Sequence, residues 1–560
     1  MTAAARRAAA AIVLMLTAAA VHAAPAQPPT LVVVIVVDQM RGDYVQRYGF
    51  QWTGGLRRLV DGGAWFSRAA YPYLTTVTCV GHATISTGAV PRTHGIVGNA
   101  WFDRDLGRSV GCSVDPSLTT ISYASPVAGG EGPSRIRAAT LSDELRVQLP
   151  VPARVVTMSM KERSAIALAG HRADAATWFN GTAGGFVTSS AYASAPVPFV
   201  AAFTKANPVT ADLGKVWTRM LPAGRYLFAD AGRGEKPPAF WSAEFPHALK
   251  AKSDTPDAQF FEAWESSPFS DDYLGRLAMA SVDALKLGQG TGTDFLGISF
   301  SALDLVGHDF GPASHEVQDT LARLDRTIGA LLDHLDRTVG AGHYVIALTA
   351  DHGAAPIPEQ AAALGIDAGR LDGALVRQAA QTALASALGP GSYVVRGQYS
   401  DLILEPDVVE KLRRDPRALD EVLRALRAVP GVAAAFFAEQ LDSRAAAGDD
   451  KARAALLSYY PGRSGDFIVM PKPYWFFVAA DGTAQPGSAT THGTMYGYDQ
   501  KVPIILFGKG IKPGEYARAA TPADIAPTLA YLCGVTLAHA DGEVLSEALA
   551  PAAQAVRRER

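Results

Sequence analysis

Five short apolar runs punctuate the chain, at Leu31–Val37, Arg154–Met158, Phe295–Phe300, Tyr344–Leu348 and Pro503–Phe507. They lack the polar alternation of a half-exposed strand. That predicts strands covered on both faces, as in a parallel sheet. Helical spacing appears between them. From His315 to Val339, the residues Val317, Leu321, Leu324, Ile328, Leu331 and Leu335 recur every three or four positions, so one stripe is buried. Thr521, Pro522 and Asp524 read as the cap, first residue and first-turn acid of another helix, which Gly534 ends. The alternation predicts an α/β fold: a mostly parallel central sheet with helices on both faces.

Two regions break this rhythm. One, at about 165–270, is rich in Pro, Gly, Ala and aromatics. The other, at about 356–487, holds elements of its own, such as a strand at Asp401–Leu404 and a helix at Asp407–Arg414. Both read as insertions above one core sheet, although a separate second domain fits the later region nearly as well. There is no internal repeat.

Composition narrows the function classes. The chain has 560 residues, 48% of them hydrophobic, and a formal net charge of -3. That balance offers no general attraction to nucleic acid or to an anionic membrane, so affinity for a phosphate must come from a local site. Arg6 and Arg7, the apolar stretch Ala8–Ala20 and the small residues at Val21-His22-Ala23 predict a signal peptide over residues 1–23. No later stretch is long and apolar enough to span a membrane. The expectation is a protein exported to a bacterial periplasm or medium. Of the three cysteines, Cys79, Cys112 and Cys533, at most two can pair with each other, and the sequence leaves the pairing open. None has zinc-finger spacing, so metal ligands would be carboxylates and imidazoles.

Asp and His residues stand where the strands end. Asp38 follows the first run. Asp304 and His308 follow the third, at i, i+4 on one side of a helical turn. Asp351 and His352 follow the fourth. In open α/β sheets, ligands bind outside the carboxyl ends of the strands. A single Asp there is usually a turn residue or a cap; the repetition at three strand ends points to metal. Imidazole with carboxylate and no thiolate favours zinc. His492, in a loop before the last run, is a sixth candidate. Thr78 stands at the start of a helix predicted over Cys79–Thr87 and ended by Gly88. Free N–H groups there favour an anion, although capping is the commoner job for such a threonine.

As a set, Asp38, the Thr78–His82 segment, the His94–Asn99 segment, Asp304 with His308, Asp351-His352-Gly353 and Thr491-His492-Gly493 resemble the alkaline phosphatase superfamily. The resemblance is greatest to secreted bacterial alkaline phosphatases with a threonine nucleophile. It implies a three-layer sandwich fold and two Zn2+ ions, and it leaves a further structural ion such as Ca2+ open. One zinc would be held by Asp304, His308 and His492, the other by Asp38, Asp351, His352 and Thr78. The resemblance makes Thr78 the nucleophile and Asn99, Lys161 and Arg163 the phosphate-binding residues. Val80 departs from the family's motif, where proline is expected, but removes no functional group.

The implied substrates are small phosphate monoesters. A monoester presents a dianion, and Lys161 and Arg163 add two positive donors suited to it. The alternative is a nucleotide pyrophosphatase or phosphodiesterase of the same superfamily. A sulfatase is disfavoured, because Cys79 lies one place past the nucleophile and lacks the Pro/Ala and Arg of a formylglycine motif. Oligomeric state is not legible.

Overall fold

The computed structural model describes residues 27–478 and 487–551. The predicted signal peptide lies outside the described residues. Ten strands form the central sheet: β1 (Leu31–Val37), β2 (Ala64–Ala69), β3 (Thr120–Ser122), β4 (Val155–Ser159), β5 (Ala175–Asn180), β6 (Gly185–Ser189), β7 (Asp294–Phe300), β8 (Tyr344–Thr349), β9 (Ile504–Gly508) and β10 (Gly514–Ala520). Their order is β10-β2-β9-β8-β1-β7-β4-β5-β6-β3. The middle of the sheet, β8-β1-β7-β4-β5, is parallel.

Alternation along β1 explains the three layers. Leu31, Val33, Ile35 and Val37 enter one core with Leu321, Leu324 and Ile328. Val32, Val34 and Val36 enter the opposite core with Ile525, Ala526 and Leu529. Each fully buried aliphatic side chain contributes about 1.5–3 kcal/mol, so a run apolar at every position is what a central strand with helices on both faces requires. The helices that matter here are α1 (Thr78–Thr87), α2 (Glu162–Ala169), α3 (Pro268–Leu285), α4 (Ala302–Phe310), α5 (His315–Leu335) and α6 (Ile525–Cys533). The stripe read along His315–Val339 is buried in α5, whose last turn widens into a π-helix at Asp336–Gly340. The Thr521–Asp524 capping box precedes α6, and Gly534 closes it in the left-handed region.

The run at Pro503–Phe507 differs from its expected direction. It forms β9, antiparallel to both β8 and β2. An uninterrupted apolar run records burial on both faces, and β9 is buried between two neighbours whichever way it points. Antiparallel pairing also holds β6 and β3 at the other edge, so the sheet is mixed.

Part of the first interrupting region joins the sheet, since residues 175–189 supply β5 and β6. Within the second, four strands, including Asp401–Leu404, form a separate sheet over residues 394–471. This sheet packs a core of its own, with Leu404, Val408, Leu419, Val422 and Phe467. The helix read at Asp407–Arg414 is Pro406–Arg414.

Candidate active site

Four adjacent parallel strands, β8-β1-β7-β4, converge on one edge. Asp38 leaves the end of β1, and its N–H donates to Phe300 O of β7 (2.9 Å). Just past β7, the N–H groups of Ser301 and Ala302 donate to Asp271 Oδ1 from α3 (3.2 and 3.3 Å). That anchors the start of α4, which carries Asp304 in its first turn and His308 one turn later. Asp351 and His352 follow β8. The loop before β9 brings His492 to the same place.

These six residues fall into two groups, Asp304–His308–His492 and Asp38–Asp351–His352, each with its ligand atoms within 4.8 Å of one another. The imidazoles of His352 and His492 stack at 3.4 Å between ring centres, so the groups adjoin. Each histidine uses Nδ1 on a main-chain carbonyl: His308 on Thr490, His352 on Gly353, His492 on Thr76, all at 2.9 Å. A carbonyl accepts only, so Nδ1 carries the proton and Nε2 presents a lone pair. Around those lone pairs, Nε2 of His308 lies 3.3 Å from Asp304 Oδ1, and Nε2 of His352 lies 3.4 Å from Asp351 Oδ2 and 3.5 Å from Asp38 Oδ1. A tetrahedron with bonds of about 2.0–2.1 Å has edges of about 3.3–3.4 Å. The His308 and His352 separations match those edges, and His492 Nε2 stands somewhat farther off, 3.7 Å from Asp304 Oδ1.

The charge balance points the same way. Asp38, Asp304 and Asp351 are all buried together. Lys161, two residues past β4, bridges the groups: its Nζ donates to Asp38 Oδ2 (2.5 Å) and also to Asp304 Oδ2. One ammonium does not balance three carboxylates. Burial, with the neighbouring charges of Asp304 and Asp351, pushes the Asp38 carboxyl well up. Burial works against ionisation of Asp304 too, yet the Lys161 ammonium holds its carboxyl well below the usual range. Asp38 Oδ1 and Asp351 Oδ2 are fully buried without a hydrogen-bond partner among the described residues. Buried orphan carboxylate oxygens call for cations.

Thr78 is the first residue of α1 and does not cap it. Val77 holds the cap position, without a side-chain bond. The Thr78 hydroxyl is thereby released from the capping role that its position suggests, and its Oγ1 lies 3.4 Å from His352 Nε2, beside the second group. Asn99 accepts the Cys79 N–H on Oδ1 (2.8 Å). A cleft of about 320 Å3 opens above, lined by Asn99, Lys161, Arg163, Asp304, His308 and His492 among others. The Arg163 guanidinium donates to Glu162 (3.1 Å), while its Nε is buried without a partner among the described residues. All ten residues singled out in the sequence thus gather at one edge.

Two neighbours were not singled out. Gln39, at φ +66°, spans both groups: its N–H donates to Asp351 Oδ1 (3.1 Å) and its Nε2 to Asp304 Oδ1 (2.6 Å). His82, the end of the Thr78–His82 segment, sits fully buried, with Nδ1 2.8 Å from Thr78 O and 3.3 Å from Asp351 Oδ2. His94, His171 and His315 bond elsewhere. The open cysteine pairing resolves as Cys79–Cys112, with Cys533 free and buried.

Comparison with known proteins places this edge in context. The sequence profile described as "Type I phosphodiesterase / nucleotide pyrophosphatase" matches residues 32–499. Alkaline phosphatase PhoV of Synechococcus elongatus is 31% identical over 515 residues, covering 89% of this chain and 88% of that protein. Alkaline phosphatase PafA of Elizabethkingia meningoseptica is 31% identical over 513 residues, covering 89% and 90%. The crystal structure of wild-type PafA superposes with a TM-score of 0.83 at 29% identity, over 93% of this chain and 99% of that one. A second PafA structure is a mutant altered at a threonine, an asparagine, a lysine and an arginine.

Proposed function

The chain belongs to the type I phosphodiesterase / nucleotide pyrophosphatase family of the alkaline phosphatase superfamily, and we propose that it is an exported, zinc-dependent alkaline phosphatase that hydrolyses phosphate monoesters through a phosphothreonine at Thr78. Its alkaline phosphatase relatives, matched over most of the chain, make it a phosphoric monoester hydrolase. The observation that carries the mechanism is the pair of three-residue candidate ligand groups beside Thr78, each histidine with Nδ1 on a main-chain carbonyl and Nε2 turned to its group.

The donors fit two zinc ions: carboxylate oxygens and imidazole nitrogens near coordination-shell spacing, with buried carboxylate oxygens otherwise unpartnered. Asp304, His308 and His492 would hold one; Asp38, Asp351 and His352, with Thr78 Oγ, would hold the other. Bound there, the ions supply Lewis acidity to the attacking and leaving oxygens.

The chain's own residues do the rest. Thr78 Oγ attacks phosphorus in line, the Thr78–phosphorus bond forms, and the ester P–O bond breaks to release the alcohol. Water then attacks the phosphothreonine, restoring the Thr78 hydroxyl and freeing phosphate. Asn99 has Oδ1 engaged, so its Nδ2 is the donor for a phosphoryl oxygen. Lys161 and Arg163 meet the remaining equatorial charge, which is greater in a monoester than in a diester. The PafA mutant supports treating these residues as one set: Thr78, Asn99, Lys161 and Arg163 repeat its four altered residue types in the same order and at the same intervals. Export is supported by the signal-peptide pattern and by a disulfide suited to an oxidising compartment. No helix among the described residues is long and apolar enough to cross a membrane.

The test is steady-state kinetics on matched aryl phosphate mono- and diesters. The expected result is a higher kcat/KM for the monoester. A preference for the diester would favour the phosphodiesterase reading.

A further inference from the structure

The Cys79–Cys112 disulfide ties the first turn of α1 to the segment just after the hairpin Ala100–Asp103/Arg108–Gly111. Asn99 stands at the mouth of that hairpin, and both half-cystines hold it. The Cys79 N–H donates to Asn99 Oδ1 (2.8 Å), and the Cys112 N–H donates to the Asn99 main-chain carbonyl (2.9 Å). A closed ring results: side chain to one cysteine, main chain to the other, sulfur to sulfur. Both cysteines are buried. Thr78 is the residue next to Cys79, so the ring includes the turn that carries the nucleophile.

We propose that this disulfide is a positioning device, which fixes the Asn99 amide against the Thr78 hydroxyl so that the contribution of Asn99 to phosphoryl transfer depends on the cross-link. The inference rests on the roles given above to Thr78 and Asn99. Two neutral hydrogen bonds contribute only about 0.5–1.5 kcal/mol each, too little on their own to fix a side chain that lines an open cleft. The covalent link keeps the helix terminus and the hairpin at the separation those bonds need. Precision matters here, because a misplacement of about 1 Å lowers a catalysed rate by about 100-fold.

The competing role is stabilisation alone. The disulfide joins cysteines 33 positions apart and restricts the unfolded chain. That role lowers the melting temperature when the link is lost, but it does not couple the link to Asn99. A double-mutant cycle separates the two. kcat/KM on an aryl phosphate monoester is measured for the wild type, Asn99→Ala, Cys79→Ser/Cys112→Ser and the triple variant, all loaded with zinc. The expected result is that the Asn99→Ala penalty shrinks at least about threefold without the cross-link, the scale of coupling between residues in contact. An equal penalty in both backgrounds overturns the proposal and leaves the disulfide a stabiliser.

If the serine pair does not fold, a phosphine is applied to the folded wild-type and Asn99→Ala enzymes. One disulfide, one phosphine and one water give two thiols and a phosphine oxide, and thiol titration reports completion. The same two outcomes decide. A wild type with no monoester turnover removes the functional reading and this inference together. An active wild type with equal penalties removes this inference alone.

Discussion

Gly81 lies so close to Asp351 that a β-carbon built on it would come 2.2 Å from the Asp351 main-chain oxygen. Backbone presses on backbone: α1 rests directly on the turn that carries Asp351 and His352. That contact brings the Thr78 hydroxyl to 3.4 Å from His352. Gly81→Ala therefore has no flexible side chain to push aside. The expected result is a loss of about 1–3 kcal/mol of stability and a fall in kcat/KM of about 100-fold, from displacement of Thr78. Gly373→Ala, where a β-carbon meets nothing within 4 Å, should leave activity unchanged. Thermal melts and kinetics on the two variants check this.

Lys161 and Arg163 set the expected difference between substrate classes. Lys161→Ala and Arg163→Ala should each lower kcat/KM for an aryl phosphate monoester by about 100-fold or more, the scale for a donor aimed at transition-state charge. The matched diester should lose much less. Equal losses on both substrates would refute a role in reading the extra monoester charge.

Gln39 holds one candidate ligand from each group, Asp351 through its main chain and Asp304 through its side chain. Gln39→Ala keeps the N–H on Asp351 and removes the amide from Asp304. Zinc affinity, measured by competition with a chelator, should fall about 10- to 100-fold. Unchanged affinity would show that Asp304 is held adequately by Lys161 alone.

His247 and Glu316 form a fully buried pair away from the cleft, 2.9 Å apart. Burial pushes Glu316 up to about 9 and His247 down to about 4, so both are neutral near pH 7. A carboxyl raised in the folded state contributes stability that is present below its unfolded value and lost as pH rises through about 9. His247 is depressed, so its contribution is present above its unfolded value and lost as pH falls through about 4. Above about pH 6.5 only Glu316 of this pair still changes. Glu316→Gln should therefore gain on the wild type as pH rises from there towards 9, by at most about 1.4 kcal/mol per pH unit. A constant difference in unfolding free energy over that window would contradict a neutral Glu316.

Much of the candidate site was legible because its carboxylates follow strand ends. Asp38, Asp304 and Asp351 each stand within a few residues of an apolar run, and the runs proved to be adjacent strands. His492 was not legible in that way. It sits in a loop without periodicity, and only the resemblance joined it to Asp304. Gln39 and Gly81 were missed, because their roles are contacts with residues hundreds of positions away. The direction of β9 was hidden, because burial on two faces does not encode direction. The edge strand β10 was missed because Gly514–Ala520 is mostly exposed and carries no apolar run. Lys161 could have been a solvated turn residue; its burial between Asp38 and Asp304 comes from the placement of β4 beside β7, which no local pattern states.

Zinc content measured together with activity tests the central claim most directly. Purified enzyme should hold about two zinc ions per chain, lose monoester turnover when a chelator removes them, and regain it when zinc is restored. Full turnover by protein holding less than one divalent ion per chain would contradict the account.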